Sequence, residues 1–244
     1  MNKIASTARI HPSVRLGKSV QIDDFVIIGA PPRDVQSGEL ETVIGDNAHI
    51  RSHTVIYAGN HIGDDFATGH GVMIRECNEI GNWVSIGTHS VVEHHVRIED
   101  HVRIHSQAFI PEYSTLMTNC WIGPNVVLTN ALHPLCPKVK ECMRGATVEP
   151  GAKIGANATL LPDITIGRNA LVGAGSVVID DVPAGVVVAG SPARVLKPVD
   201  QLTCPYHLIG TPYERRCYEH PVSRPEGSVS SYFVRYKRSH SASG

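Results

Sequence analysis

Residues 44–128 read IGDNAHIRSHTVIYAGNHIGDDFATGHGVMIRECNEIGNWVSIGTHSVVEHHVRIEDHVRIHSQAFIPEYSTLMTNCWIGPNVVL, and this stretch decides the fold. Every sixth residue from Ile44 to Leu128 is aliphatic, with Thr68 as the one exception. A helix repeats about every 3.6 residues and a strand about every 2, so a sustained period of six fits neither. The period predicts a solenoid, in which each repeat packs only on its neighbours.

The same six-residue step extends on both sides of this block, from Ile4 to Ile28 and from Val148 to Val178. We interpret each hexad as a short strand followed by a turn, with three hexads in each triangular coil and the aliphatic side chains stacked inside. The predicted fold class is all-β, a parallel β-helix with about eight to nine coils and a length of about 40 Å at a spacing of about 4.8 Å per coil.

Two segments interrupt the period, near residues 30–41 and 130–145. Both should form extended loops, and loops on rigid scaffolds often carry function. The period ends after residue 189, and the sequence then becomes polar and rich in proline. We therefore expect a β-helix domain over residues 1–189 and a partly irregular C-terminal extension over residues 190–244.

Composition excludes several partners. The chain has 22 Lys and Arg against 23 Asp and Glu, so no basic field attracts nucleic acid. No apolar run approaches the roughly 18–20 residues that cross a bilayer, so no membrane partner is expected. The six cysteines form no disulfide framework, and the start, MNKIASTARIHPS, has no apolar signal segment. We expect a cytoplasmic protein.

The segments IGPNVVLTNALHPLCP (122–137) and IGANATLLPDITIGRNALVGAGSVVIDDVPAGVVVAGSPARVLK (154–197) resemble the hexapeptide-repeat acyltransferases. This resemblance implies a left-handed parallel β-helix, a homotrimer with active sites between subunits, and acetyl-CoA as the acyl donor. Residues 28–51 look like the equivalent part of enzymes that act on nucleotide-linked amino sugars. The implied function is transfer of an acetyl or short acyl group to the amino group of such a sugar.

The alternative within the same family is O-acetylation of a sugar or small alcohol. The step His133–Pro134 resembles the galactoside and maltose O-acetyltransferases. The acceptor therefore stays open between an amine and a hydroxyl. A different alternative, a non-catalytic scaffold, would bind no CoA at all.

Three residues are the catalytic candidates. His133 opens the second loop, and an imidazole is suited to taking a proton near neutral pH. Asn130, three residues earlier, could orient substrate or polarise the thioester carbonyl. Glu112 aligns with a position that is often polar near the acceptor amine in related enzymes.

The resemblance also places the acyl carrier. Ala156 and Ala174 match positions whose backbone groups contact the pantetheine arm in the family. Arg194 and Lys197 match cations that meet the CoA phosphates, a role suited to a guanidinium fork. One departure weakens the match, because residues 178–183 read VIDDVP where relatives often read VTKDVP.

Clustered histidines and cysteines raise two metal hypotheses. His53, His89 and His94 are loosely spaced like the three histidines of γ-class carbonic anhydrases, which share this fold. In the tail, two Cys-x-x-His pairs could supply the four ligands of a structural zinc: Cys204, His207, Cys217 and His220. The acyltransferase motifs have no role in a carbonic anhydrase, so we expect no catalytic metal and regard the tail zinc as a secondary hypothesis.

Overall fold

The structure, a computed structural model, describes residues 1–208 and 210–213, and it is built almost entirely from short strands. In chain order the strands are β1 (Lys3–Ile4), β2 (Arg9–Ile10), β3 (Val14–Leu16), β4 (Gln21–Ile22), β5 (Ile27–Ala30), β6 (Thr42–Ile44), β7 (His49–Ile50), β8 (Val55–Tyr57), β9 (His61–Ile62), β10 (Ala67–Thr68), β11 (Met73–Ile74), β12 (Glu79–Ile80), β13 (Ser85–Ile86), β14 (Val91–Val92), β15 (Arg97–Ile98), β16 (Arg103–Ile104), β17 (Phe109–Ile110), β18 (Thr115–Leu116), β19 (Trp121–Ile122), β20 (Val127–Leu128), β21 (Thr147–Val148), β22 (Lys153–Ile154), β23 (Thr159–Leu160), β24 (Thr165–Ile166), β25 (Leu171–Val172), β26 (Val177–Val178), β27 (Val186–Gly190) and β28 (Ala193–Pro198). One short helix, α1 (Val139–Cys142), and one 3₁₀ turn (Val199–Gln201) complete the described elements.

The strands form three sheets along the sides of a triangular prism. Sheet A runs β1-β4-β7-β10-β13-β16-β19-β22-β25-β27-β28, sheet B runs β2-β5-β8-β11-β14-β17-β20-β23-β26, and sheet C runs β3-β6-β9-β12-β15-β18-β21-β24. Within a sheet, neighbouring strands are parallel and 18 residues apart in the uninterrupted coils, as in the pairing of Ile80 with Ile98. Successive strands of the chain therefore pass from sheet A to B to C, and the predicted parallel β-helix is confirmed.

The core is the stack of aliphatic residues inside the prism. Ile44, Ile56 and Leu116 are fully buried, and burying each such side chain stabilises the fold by about 1.5–3 kcal/mol. A second inward position, two residues before the aliphatic one, takes small or β-branched residues such as Ala108 and Val84. The sizes at the two positions are complementary, and where the aliphatic position holds Thr68 the larger Phe66 fills the second position.

The turns between sheets depend on a left-handed backbone. The third residue after most strands has positive φ, for example Asn47 at 60°, His95 at 56° and Asn119 at 61°. Asn and Gly adopt this conformation at low cost. We name the turns after the sheets that they join: the A–B corner, the B–C corner and the C–A corner.

The prism has about ten coils, whereas the six-residue period predicts eight to nine. The period ends at Val178, but sheet A continues beyond it with β27 and then with β28, which pairs antiparallel to β27. The hydrogen-bonded column therefore extends further than its repeating sequence.

Both predicted loops leave the prism. The first joins β5 to β6 and the second, which contains α1, joins β20 to β21. The second loop inserts residues into one coil, so Leu128 pairs with Leu160, 32 positions later instead of 18. The surrounding ladder is uninterrupted, which places this loop on the B–C corner. Among the described residues, no helix has the length and apolar character needed to cross a membrane.

Candidate active site

A column of polar residues lies at the B–C corner. Its members are the second residues after successive strands of sheet B, and each is 18 residues from the next: Glu76, His94, Glu112 and Asn130. Because parallel coils stack in register, equal positions in successive coils lie one above another. We call this set the B–C column.

Glu112 is the centre of the B–C column. The Asn130 Nδ2 donates to the Glu112 Oε2 at 2.7 Å and to the Glu112 backbone oxygen at 3.4 Å. The other carboxylate oxygen, Oε1, lies 3.5 Å from the His94 Nε2. About a quarter of the His94 and Glu112 side chains is exposed, so the group borders solvent without being free in it. The structure thus places two of the three catalytic candidates in direct contact.

His94 is in turn joined to its neighbour in sequence. The Nδ1 atoms of His94 and His95 are 2.8 Å apart, which is a hydrogen-bond distance. The Tyr113 ring closes the other side, with its centroid 6.0 Å from that of His94 and 5.9 Å from that of His95. Glu112, His94 and His95 therefore form one connected chain of polar groups.

The lower end of the column is charged. Arg75 donates to Glu76 from Nε at 2.8 Å and to Glu93 from Nη1 at 3.2 Å, and its guanidinium lies 5.3 Å from the centre of the Tyr57 ring. The hydrogen bond to Glu76 raises the pKa of Arg75. Burial, the largest single influence, would raise the pKa of Glu76, but the hydrogen bonds to its carboxylate and the charges of Arg75 and His94 together lower that pKa.

Carboxylates outnumber guanidinium groups in the side-chain ion pairs of the B–C column and its neighbours Arg75 and Glu93. Three carboxylates, those of Glu76, Glu93 and Glu112, face one guanidinium, that of Arg75. The corner therefore favours a cationic ligand group such as an ammonium.

His133 is not part of this cluster. Its side chain is exposed on the second loop, and among the described residues it makes no hydrogen bond or ion pair with Asn130 or Glu112. The loop is held by its backbone, since the Cys136 amide donates to the His133 oxygen at 3.1 Å and the Arg144 amide donates to the Asn130 oxygen at 2.9 Å.

The predicted carrier residues lie at a different corner. Ala156 and Ala174 are second residues after strands of sheet A, so they stack at the A–B corner, where the Gly175 amide donates to the Ala156 oxygen at 2.8 Å. The preceding residue, Gly155, has no room for a side chain, because a Cβ there would lie 2.5 Å from the Ala174 nitrogen. The coils meet with small residues here, and Ala174 is exposed.

The two predicted phosphate-binding cations lie on β28, beyond this corner. Arg194 and Lys197 are both exposed, and within the described part of the chain the Arg194 Nη1 donates only to the neighbouring Ala193 oxygen, at 2.9 Å. Within the sequence VIDDVP, Ile179 and Asp180 are the residues that depart from VTKDVP, whereas Asp181 matches it. The Asp181 Oδ1 accepts a hydrogen bond from the Thr165 amide at 2.7 Å and so holds one coil to the next.

Neither predicted metal site is formed as a cluster of ligands in the described part of the chain. No group of three or more His, Cys, Asp or Glu side chains in residues 1–208 and 210–213 is arranged to hold a metal. His53 stacks on Phe25, with ring centroids 5.2 Å apart. In the tail, the His207 amide donates to the Cys204 oxygen at 3.0 Å, and the other two predicted ligands, Cys217 and His220, lie outside the described residues.

Sequence analysis missed the connection of His94 and His95 to Glu112. The signal was present, because positions 94, 112 and 130 are spaced by 18 residues, which is one full coil. The histidine cluster suggested a metal, and that interpretation separated His94 from the catalytic candidates.

Comparison with known proteins finds similarity to bacterial transferases in the C-terminal part of the solenoid. Residues 145–180 match the family described as bacterial transferase hexapeptide (six repeats). A 2,3,4,5-tetrahydropyridine-2,6-dicarboxylate N-acetyltransferase of Clostridium perfringens is 45% identical over 82 residues, which is 34% of this chain and 32% of that protein. A galactoside O-acetyltransferase of Lactococcus lactis is 37% identical over 84 residues, which is 32% of this chain and 40% of that protein.

The match to curated relatives is partial in length. The chain spans about a third of the length of the N-acetyltransferases that it matches. Among solved structures, LpxA from Acinetobacter baumannii aligns with 80% of this chain and 71% of that chain, at 18% identity and a TM-score of 0.46. The predicted resemblance to hexapeptide-repeat acetyltransferases is confirmed by the repeat family and by the two curated acetyltransferases described above.

Proposed function

We propose that this chain, which carries the bacterial transferase hexapeptide repeat, is a CoA-dependent acyltransferase that moves an acetyl group from acetyl-CoA to the amino group of a nucleotide-linked amino sugar. Both curated relatives described above are acetyltransferases, and one of them is an N-acetyltransferase. The proposal includes a homotrimer with the active site between adjacent subunits.

The acidic B–C column is the observation that carries the choice of an amine. A primary amine reaches the site mainly as an ammonium ion, and three carboxylates against one guanidinium attract that charge. Glu112 is the best placed of the three, because the contacts from Asn130 and His94 fix both its oxygens. A neutral sugar hydroxyl would gain nothing from this charge.

The chemistry needs three further parts. The deprotonated amine attacks the thioester carbonyl, hydrogen-bond donors stabilise the oxyanion, and the C–S bond then breaks to release CoA. We assign the pantetheine arm to the A–B corner at Ala156 and Ala174, and the CoA phosphates to Arg194 and Lys197. Asn130 would orient the acceptor or the thioester carbonyl. Two groups near the B–C column could take the amine proton, His133 on the loop and the pair His94–His95.

O-acetylation is the second candidate function. The observation that favours it is the step His133–Pro134, together with the galactoside O-acetyltransferase among the relatives. An ester product is cleaved by hydroxylamine, whereas an amide is not. Hydroxylamine treatment followed by mass spectrometry therefore separates the two functions.

The direct test is a release assay for the CoA thiol. Purified protein is mixed with acetyl-CoA, a thiol reagent and a panel of nucleotide-linked amino sugars, with the matching unaminated sugars as controls. We expect thiol release that depends on an amino sugar. No release above the control with any acceptor would contradict the proposal, and a calorimetric titration with no CoA binding would leave only the scaffold alternative.

A further inference from the structure

We propose that His95 is the catalytic base of this site, and that His94 and Glu112 position it. The inference rests on the proposed acyl transfer and identifies the group that takes the acceptor's proton. It is carried by the chain of contacts in which Glu112 Oε1 lies 3.5 Å from His94 Nε2 and His94 Nδ1 lies 2.8 Å from His95 Nδ1.

The contacts determine which ring nitrogens carry protons. An ionised carboxylate only accepts hydrogen bonds, so the His94 Nε2 that faces Glu112 must carry a proton. In the neutral ring the His94 Nδ1 is then an acceptor, and the proton between the two Nδ1 atoms belongs to His95. That leaves the His95 Nε2 without a proton, and the His95 side chain is exposed. The chain thus ends in a free basic nitrogen that a substrate can reach.

The same chain can absorb the charge of an added proton. When the His95 Nε2 gains a proton, the shared Nδ1 proton can move to His94, which leaves His95 neutral and places the imidazolium on His94. The positive charge then lies beside the Glu112 carboxylate, and the 3.5 Å contact becomes a full ion pair. Catalytic contacts of this kind are often long before the reactants bind and shorten when they do.

Surrounding groups support this direction of proton transfer. Glu76 lies in the next coil of the B–C column, and the charge of His94 contributes to lowering its pKa. The Tyr113 ring packs beside both histidines and limits their rotation. The only guanidinium in the group, that of Arg75, is already paired with Glu76 and Glu93. The nearest charges therefore favour a cation on the histidine pair.

His133 lacks such an arrangement. Its side chain is exposed and makes no side-chain hydrogen bond among the described residues, so nothing there selects a tautomer or a ring orientation. A base contributes most when a third group orients it. The geometry therefore favours His95 over the residue that the sequence suggests.

The proposed reaction is balanced. The bound ammonium group first releases one proton to solvent. The neutral amine nitrogen then forms a bond to the acetyl carbonyl carbon, and one of its two N–H protons moves to the His95 Nε2. The C–S bond of the thioester then breaks, and the leaving thiolate takes the proton back from the same nitrogen. The products are the acetamide and CoA with a free thiol, and the two histidines and Glu112 return to their starting state.

The test replaces His95 by Gly. Position 95 has φ of 56°, and glycine occupies the same turn position at Gly71 and Gly175, so the backbone conformation is retained. The matched control is His101→Gly, which has φ of 60° at the same turn position of the next corner. His133→Gly is the competing variant.

We expect His95→Gly to lower kcat by about 100-fold, the lower range for general-base catalysis, with the KM for acetyl-CoA within about threefold. Added imidazole should restore part of this kcat, because a small base can enter the space of the missing ring. His101→Gly should stay within about threefold and gain nothing from imidazole, and imidazole should not raise the kcat of His133→Gly. Retention of more than a third of kcat by His95→Gly, or imidazole rescue of His133→Gly instead, would overturn the assignment.

A second measurement does not need turnover. Nitrogen-15 NMR of the histidine rings in the full chain should show the Nε2–H form for His94 and the Nδ1–H form for His95, and Glu112→Gln should remove this preference. If His95 is in the Nε2–H form in the protein without substrate, the inference is overturned, even if acetyl transfer is observed. Absence of acetyl transfer in the wild-type chain, with these tautomers present, would instead contradict the proposed function.

Discussion

The B–C and C–A corners carry equivalent polar columns, but the side chains at the two corners have different partners. At the C–A corner the second residues after the strands are Asp46, Asp64, Asn82 and Asp100. The amide of Asp46 donates to the Asp64 Oδ1 at 2.7 Å, that of Asp64 to the Asn82 Oδ1 at 2.8 Å, and that of Asn82 to the Asp100 Oδ1 at 2.7 Å. These side chains join each coil to the next through the backbone.

At the B–C corner the side chains contact one another instead. Asn130 donates to Glu112 and His94 faces it, so the functional atoms are shared among side chains. The comparison shows that a polar column stabilises the solenoid at one corner and is available for chemistry at another.

The largest expected effect is on activity at the B–C corner. Glu112→Gln keeps a side-chain oxygen for Asn130 but removes the charge that faces His94, so kcat should fall at least about 100-fold, or about 2.7 kcal/mol in the barrier. The melting temperature should change by no more than about 2 °C, because the replacement has nearly the same shape. Steady-state kinetics and thermal unfolding check this. If Glu112→Gln lowered the melting temperature and kept its activity, the B–C column would serve only to stabilise the solenoid, as the C–A column does.

An effect of intermediate size is expected on the pH dependence of stability, through the buried Cys120 behind the C–A corner. Burial raises the pKa of the Cys120 thiol to about 12, from an ordinary value of 9.0. Between pH 9 and pH 12 the thiol therefore keeps its proton in the folded state and loses it in the unfolded state. The free energy of unfolding should be constant below pH 9 as far as this group is concerned. It should then decline as the pH rises toward 12, by up to about 1.4 kcal/mol per pH unit.

Urea unfolding of the wild type and Cys120→Ala at pH 8 and pH 10 isolates this group, because the other titrating groups are common to both. Alanine occupies equivalent inward positions at Ala108 and Ala152, so the variant should fold. The difference in unfolding free energy between the two proteins should narrow by about 1.4 kcal/mol at the higher pH. Equal pH dependence would mean that water reaches the interior at this corner.

The smallest effect is on stability at the C–A corner. Asp100→Ala removes the acceptor of the Asn82 amide and should lower the unfolding free energy by about 1 kcal/mol, which is about 2–4 °C in melting temperature for a domain of this size. Asp100→Asn keeps the acceptor oxygen, as Asn82 does one coil earlier, and should be nearly neutral. Activity should be unchanged in both variants. Loss of acetyl transfer in Asp100→Asn would show that this corner, too, has a chemical role.

Sequence analysis predicted part of the candidate site and missed another part. Asn130 and Glu112 were candidates before the structure, and they prove to be in contact. His94 was assigned to a possible metal site, because a cluster of histidines in a sequence does not reveal whether their partners are metals, carboxylates or each other. His133 was the candidate base from the position of its loop, and its role remains a prediction.

The amino-acid sequence by itself determined the solenoid, since only a coil of three hexads can bury an aliphatic residue at every sixth position in one continuous core. It also determined which positions share a corner, because a period of 18 residues repeats in every uninterrupted coil. The tertiary structure alone decided the partner of each polar side chain. That choice depends on distances of a few ångströms between coils and on side-chain length, which periodicity does not contain.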